Sequence, residues 1–134
     1  MYTVAEHCVR MSKAVPPSLA YDALMHELGE ATCGDVTGPL KSLCPDFKKI
    51  EKRCERAAFT MFMVPMSDPD AIKLADLRML ATERRDLLAW RGEQWGIGEA
   101  AKPFDFEIVP WSPEAAAGAF LRRYREIAPE GAPR

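Results

Sequence analysis

No hydrophobic run in the 134-residue sequence is long enough to cross a bilayer. The longest, Met61-Phe62-Met63-Val64-Pro65-Met66, is broken by a proline, and a spanning helix needs about 20 apolar residues. Residues 1–15 carry Glu6, His7, Arg10 and Lys13, so the unbroken apolar stretch of a secretory signal is missing. The expected location is the cytoplasm, with no membrane partner. There is no CxxC pair. Cys8, Cys33, Cys44 and Cys54 stand far apart and read as reduced thiols in or near the core, not as a disulfide framework or a cysteine-rich zinc site. Strand signals are scarce: only residues 104–109 alternate, between Pro103 and Pro110. Internal repeats and low-complexity segments are absent. Charge of either sign is not in excess. Eighteen Lys and Arg against 20 Asp and Glu leave a formal charge of −2, which gives no electrostatic reason to expect a nucleic-acid polymer. A small anionic ligand would need a local basic cluster.

What is present is the composition of one soluble globular domain over residues 1–134. Hydrophobic residues make up 48% and charged residues 28%, and a chain of this length can bury a real core. Helix signals dominate. A first helix is expected over 4–15, with Thr3 as N-cap, Glu6 as its capping-box partner and Pro16-Pro17 as the stop. A second is expected from about 18, with an apolar stripe of Leu19, Ala23, Leu24 and Leu28 and with Gly34 just past its end. After a turn-rich link over 35–45, a third runs over 46–63, with Phe47, Ile50, Cys54, Ala58 and Phe62 on one side. Asp68-Pro69 opens a fourth over 69–90, marked by Ile72, Leu77, Leu80, Leu87 and Leu88. A long link over 91–111 is of a kind that often shapes or covers a site. Ser112-Pro113-Glu114 then starts a fifth helix that reaches about 127, where Arg122, Arg123 and Arg125 suit the helix dipole. The expected fold class is all-α, a compact bundle of about five helices.

The chain contains only two histidines, and their placement is informative. His7 lies nine residues before Pro16 and His26 nine residues after Pro17. Helices joined by so short a turn pack antiparallel, and at ~1.5 Å per residue both histidines sit about 13–14 Å from the turn. They are therefore level and able to converge on one ion. Glu30, four residues after His26, shares its helical face. Glu27 is adjacent, about 100° round an ideal helix, with a side chain long enough to reach the same point. Gly29 leaves room beside the helix at a cost in helix stability, understandable if a ligand needs the space. Imidazole with carboxylate is the mixed donor set of catalytic divalent metals. Spacing alone leaves the plain alternative open, in which these are surface or satisfied core side chains on a solvated face.

The segment from Met25 to Lys41, His26-Glu27-x-x-Glu30 followed by Gly34-Asp35 and Pro39-x-Lys41, resembles the signature of the HD-domain phosphohydrolases. The branch it is most similar to is that of the YfbR-like 5′-deoxynucleotidases and related phage and bacterial HD hydrolases. Val4-Ala5-Glu6-His7 resembles the family's earlier helix with its first metal histidine. Lys73-Leu74-Ala75-Asp76 resembles the later helix with its last aspartate, and the likeness extends through Trp90 and over Trp111-Ser112-Pro113-Glu114.

The resemblance implies an HD-domain helical bundle in which His7, His26, Glu27 and Asp76 hold one divalent ion. Cobalt, manganese, zinc, nickel, iron and magnesium are not distinguished. Glu30 would be the acid/base residue on the attacking water, Asp35 would orient water or substrate, and Lys41 and Lys73 would contact phosphate. The plain reading of Lys41 and Lys73 is solvated lysine, that of Asp35 a turn residue. Glu83, two turns from Asp76, reads mainly as surface. The implied activity is nucleotide phosphohydrolysis, with deoxynucleoside 5′-monophosphates as the leading substrates. The alternatives are a deoxynucleoside triphosphate triphosphohydrolase and a non-catalytic nucleotide- or protein-binding domain. The family analogy also suggests a homodimer. The sequence departs from the family in two places: Glu27 stands where the pattern has aspartate, and only six residues precede His7, so the family's usual N-terminal segment is expected to be lacking.

Overall fold

In the computed structural model, residues 1–34, 36–88 and 101–134 are described. They form an all-helical structure. Helix α1 (Val4–Ala14) begins where the Thr3 hydroxyl accepts the Glu6 amide at 3.2 Å. A 3₁₀ turn at Pro17–Leu19 reverses the chain into α2 (Ala20–Met25). The expected second helix is not continuous: it breaks at His26-Glu27, three residues before the helix-weakening Gly29, and resumes as α3 (Leu28–Cys33). Gly34 ends α3 with φ +84°, a conformation that favours glycine. The expected link contains a short helix, α4 (Gly38–Leu43), and then comes α5 (Pro45–Met61). Asp68 caps α6 (Pro69–Leu87) and Ser112 caps α7 (Pro113–Ile127), each accepting an amide from the first turn. No helix among the described residues is long and apolar enough to cross a membrane.

The antiparallel α1–α2 pair is the centre of the molecule. One core cluster joins Met11 and Ala23 to Ile72, Ala75 and Met79 of α6. The other joins Cys8, Val9, Leu24 and Met25 to Val64, with Phe120 and Tyr124 of α7 packed against it. Met11, Leu24 and Met79 are fully buried, and each contributes roughly 2 kcal/mol by leaving water. The buried stripe of α6 is Ile72, Ala75, Met79 and Thr82, spaced by three and four residues. The leucines that suggested this helix are not at its centre, and Leu88 is exposed. In α5 only Ala58 is buried and Ile50 is 53% exposed. Only the C-terminal end of the expected apolar side, Ala58 and Phe62, meets the core, and the helix also packs on α3 and α4.

The alternating stretch over 104–109 forms no strand. Its amides bond to α6 side chains in place of a strand partner: Phe104 N–H to Thr82 Oγ1 at 2.9 Å and Ile108 N–H to Asp86 Oδ2 at 2.9 Å. Phe104 and Ile108 plug the first core cluster, so this strap is an extended cover on α6. Glu6, fully buried, anchors its end. It pairs with Arg10 at 2.7 Å and accepts the Trp111 amide at 2.9 Å, and so does not complete a capping box. All four cysteines are free, Cys8 buried and the others partly so.

Candidate metal centre

Three separate parts of the bundle deliver side chains to one point. His7 comes from the middle of α1, His26 and Glu27 from the α2–α3 break, and Asp76 from α6. One donor atom from each of the four lies within 4.8 Å of every other. The imidazole rings are 5.2 Å apart, centre to centre, which is the level placement that the nine-residue spacing on either side of the diproline requires. His7 Nε2 is 3.7 Å from Asp76 Oδ1, and His26 Nε2 is 3.1 Å from Glu27 Oε1. Glu27 therefore brings its carboxylate into the group.

The orientation of both rings is set from behind. His7 Nδ1 faces Glu83 Oε1 at 2.6 Å, and His26 Nδ1 faces the Ala23 carbonyl at 2.8 Å. With each Nδ1–H donated to an acceptor, each ring, once neutral, offers its Nε2 lone pair to the group. Both Nε2 atoms are buried without a well-aligned hydrogen-bond partner, a costly state unless something else binds there. This donor set, two imidazole nitrogens and two carboxylates, fits a divalent cation. Burial alone would lower the His26 pKa, but the Cys8 thiol and the Glu27 carboxylate outweigh it and push it up to about 10. The His26 imidazole, 3.1 Å away, in turn lowers Glu27 to about 2 despite its burial. A ring so raised is protonated in the metal-free site, and a bound cation takes the place of that proton.

Glu83 is the residue that the sequence reading undervalued. The signal was there: it lies two turns from Asp76 on the same face. The hydroxyl of Tyr2 is buried beside it, and burial followed by the Glu83 charge drives that phenol well above its usual range. Removing the carboxylate by Glu83→Ala should free the His7 ring and weaken Mn2+ binding about 10–100-fold, the usual cost of losing such a support. Glu83→Gln, which retains an acceptor, should restore most of it. Isothermal titration with Mn2+ checks both, and equal affinities for wild type and Glu83→Ala would remove the residue from this role.

Three of the four, His26, Glu27 and Asp76, line a cavity of about 780 Å³ between α3, α5, the turn after α5 and the start of α6. Glu30 lines it beside Glu27. Lys41 and Lys73 also line it, but both are bound to carboxylates. Lys41 Nζ is 2.5 Å from Glu51 and 3.5 Å from Glu30, and Lys73 Nζ is 2.8 Å from Asp76. Asp35 lies outside the described residues. The room beside Gly29 is taken up by packing: a Cβ there would sit 3.0 Å from Glu55 Cβ on α5. That close approach, and not a ligand, accounts for the glycine.

Among known proteins, YfdR of Escherichia coli K12, an uncharacterized protein, is 39% identical over 127 residues, 94% of this chain and 71% of YfdR. This chain belongs to the YfdR family. No family model matches the chain, and no solved structure does. YfdR carries no assigned activity, so the chemistry of the YfdR family rests on the site itself.

Proposed function

We propose that the chain is a metal-dependent phosphohydrolase of HD type acting on nucleotides, with deoxynucleoside 5′-monophosphates as the leading substrates. The observation that carries this reading is the convergence of His7, His26, Glu27 and Asp76 within 4.8 Å, three of them lining a cavity, in the order of the HD signature with glutamate in place of its first aspartate. These four would hold one divalent ion, which supplies Lewis acidity toward a phosphoryl oxygen and lowers the pKa of water. Glu30, on the same wall, takes the proton of the attacking water. The new P–O bond forms as the ester P–O bond breaks, and the proton passes to the departing alcohol oxygen. Glu83 and the Ala23 carbonyl keep the imidazoles aimed during the reaction. The apolar side chains of Phe59, Met66 and Ile72 in the same cavity offer a surface for a base or sugar.

The test is release of phosphate from a panel of deoxynucleotides by purified protein, with and without Mn2+ or Co2+. Metal-dependent phosphate release from monophosphates is expected. Triphosphate release from deoxynucleoside triphosphates would select the triphosphohydrolase alternative. Glu30→Gln should keep the metal and lose at least about 100-fold in rate, the low end for a general base. No turnover of any nucleotide by metal-loaded protein would refute the enzymatic reading.

A further inference from the structure

The two lysines nominated by sequence are neutralised by neighbours, which raises the question of which cations meet an anionic ligand. Lys52 and Arg56 also line the cavity, from α5. They are four residues apart and so share a face of that helix. Both side chains are exposed, and among the described residues neither has a carboxylate partner. The contrast with Lys41 and Lys73, tied at 2.5 and 2.8 Å to Glu51 and Asp76, is clear. Phe59, one turn beyond Arg56, continues the same wall with an aromatic ring.

Charge decides when this wall can work. Five carboxylates and four Lys or Arg side chains line the cavity among the described residues, so once the histidines are neutral, as metal ligation requires, the lining holds a slight excess of negative charge. A divalent cation on the four donors reverses that sign. A phosphate group then meets positive charge on both sides of the cavity, from the ion and from α5.

We infer that Lys52 and Arg56 form the anion-binding wall of the cavity, that they grip a phosphate group of the ligand, and that this grip depends on prior occupation of the metal centre. The inference rests on the metal-site reading above. Lysine and arginine supply charge-assisted hydrogen bonds to phosphate oxygens, with the arginine fork suited to bidentate contact. Phe59 gives the organic part of the ligand an apolar neighbour, so the class of ligand is an organic phosphate with a flat or apolar body.

The experiment is calorimetric titration of the full chain, first with Mn2+ and then with inorganic phosphate. The protein preloaded with Mn2+ should bind phosphate at least about tenfold more tightly than the metal-free protein. The double variant K52A/R56A should bind Mn2+ as wild type does and lose at least about tenfold in phosphate affinity, the scale for lost charge-assisted bonds. K49A, an exposed lysine paired with Asp46 and away from the cavity lining, should change neither affinity. Phosphate affinity unaffected by K52A/R56A, or an equal loss in K49A, would overturn the wall while leaving the metal centre standing. Failure of the wild type to bind Mn2+ would instead overturn the metal-site reading, and this inference with it.

Discussion

Replacing His26 with alanine should take the bound divalent metal from about one ion per chain, the stoichiometry of a four-donor site, to none measurable. The same substitution should abolish metal-dependent phosphate release. The argument rests on geometry. His26 contributes a buried Nε2 with no well-aligned hydrogen-bond partner, and its other nitrogen is committed to the Ala23 carbonyl at 2.8 Å. Three donors would remain after its removal, and Glu27 would lose the imidazole that lowers its pKa. In wild type, Mn2+ at 100 times its dissociation constant should stabilise the fold by about 2.7 kcal/mol. For a chain of this size that corresponds to a rise of roughly 8–10 °C in melting temperature. Chelation should reverse the rise, and the His26→Ala protein should not show it. Asp76→Asn, a near-isosteric change on a partly exposed residue, repeats the test without opening a hole in the core. Equal metal content and equal Mn2+-induced melting shifts in wild type and both variants would show that the four side chains do not form a cation site.

The second large effect is one of stability. Asp22 is buried in the middle of α2, and its carboxylate is fully used by the turn between α5 and α6. It accepts the Met66 amide at 3.1 Å, the Ser67 amide at 2.7 Å and the Ser67 hydroxyl at 2.8 Å. Met66 is held there with φ +45°, a conformation that non-glycine residues rarely adopt. Asp22→Ala would leave two amides without acceptors and release a strained turn. The expected loss is about 3 kcal/mol, since each stranded buried polar group costs ~1–3 kcal/mol. The melting temperature should fall by about 10 °C. Asp22→Asn, with one acceptor oxygen left, should fall between the two. Val64, Pro65 and Met66 of the same turn line the cavity, so Asp22→Ala should also weaken ligand binding. A melting temperature within about 2 °C of wild type would mean that the turn is held by other contacts, such as the Tyr21 hydroxyl bond to the Phe62 carbonyl at 2.6 Å.

Much of this architecture was legible in the residues themselves. Thr3, Asp68 and Ser112 cap the helices that follow them, and Gly34 ends α3 with positive φ. Each is a local event, decided by side chains within three residues of the backbone groups they satisfy. The all-helical class follows from the same short-range signals. The meeting of His7 with His26 was legible for a related reason: a diproline turn between two helices leaves little freedom, and equal spacing on either side then places the rings level.

The rest depends on parts of the chain that are remote in sequence. Glu83 holds the His7 ring across 76 residues; helical period puts it on the Asp76 face but does not reveal its partner. Lys41 and Lys73 carry phosphate-binding chemistry on paper, yet Glu51 and Asp76 occupy them, and the cavity cations without a carboxylate partner among the described residues are on α5. The stretch over 104–109 is the one that alternates, and what it pairs with is decided by α6, which supplies the hydrogen-bond acceptors for Phe104 and Ile108. Residue order settles which groups can cap, turn or ligate, because those choices are made within a few bonds. Which ring nitrogen faces inward, which charge is cancelled and which cavity wall stays positive are settled only when the helices pack, because electrostatic partnership depends on distance through space.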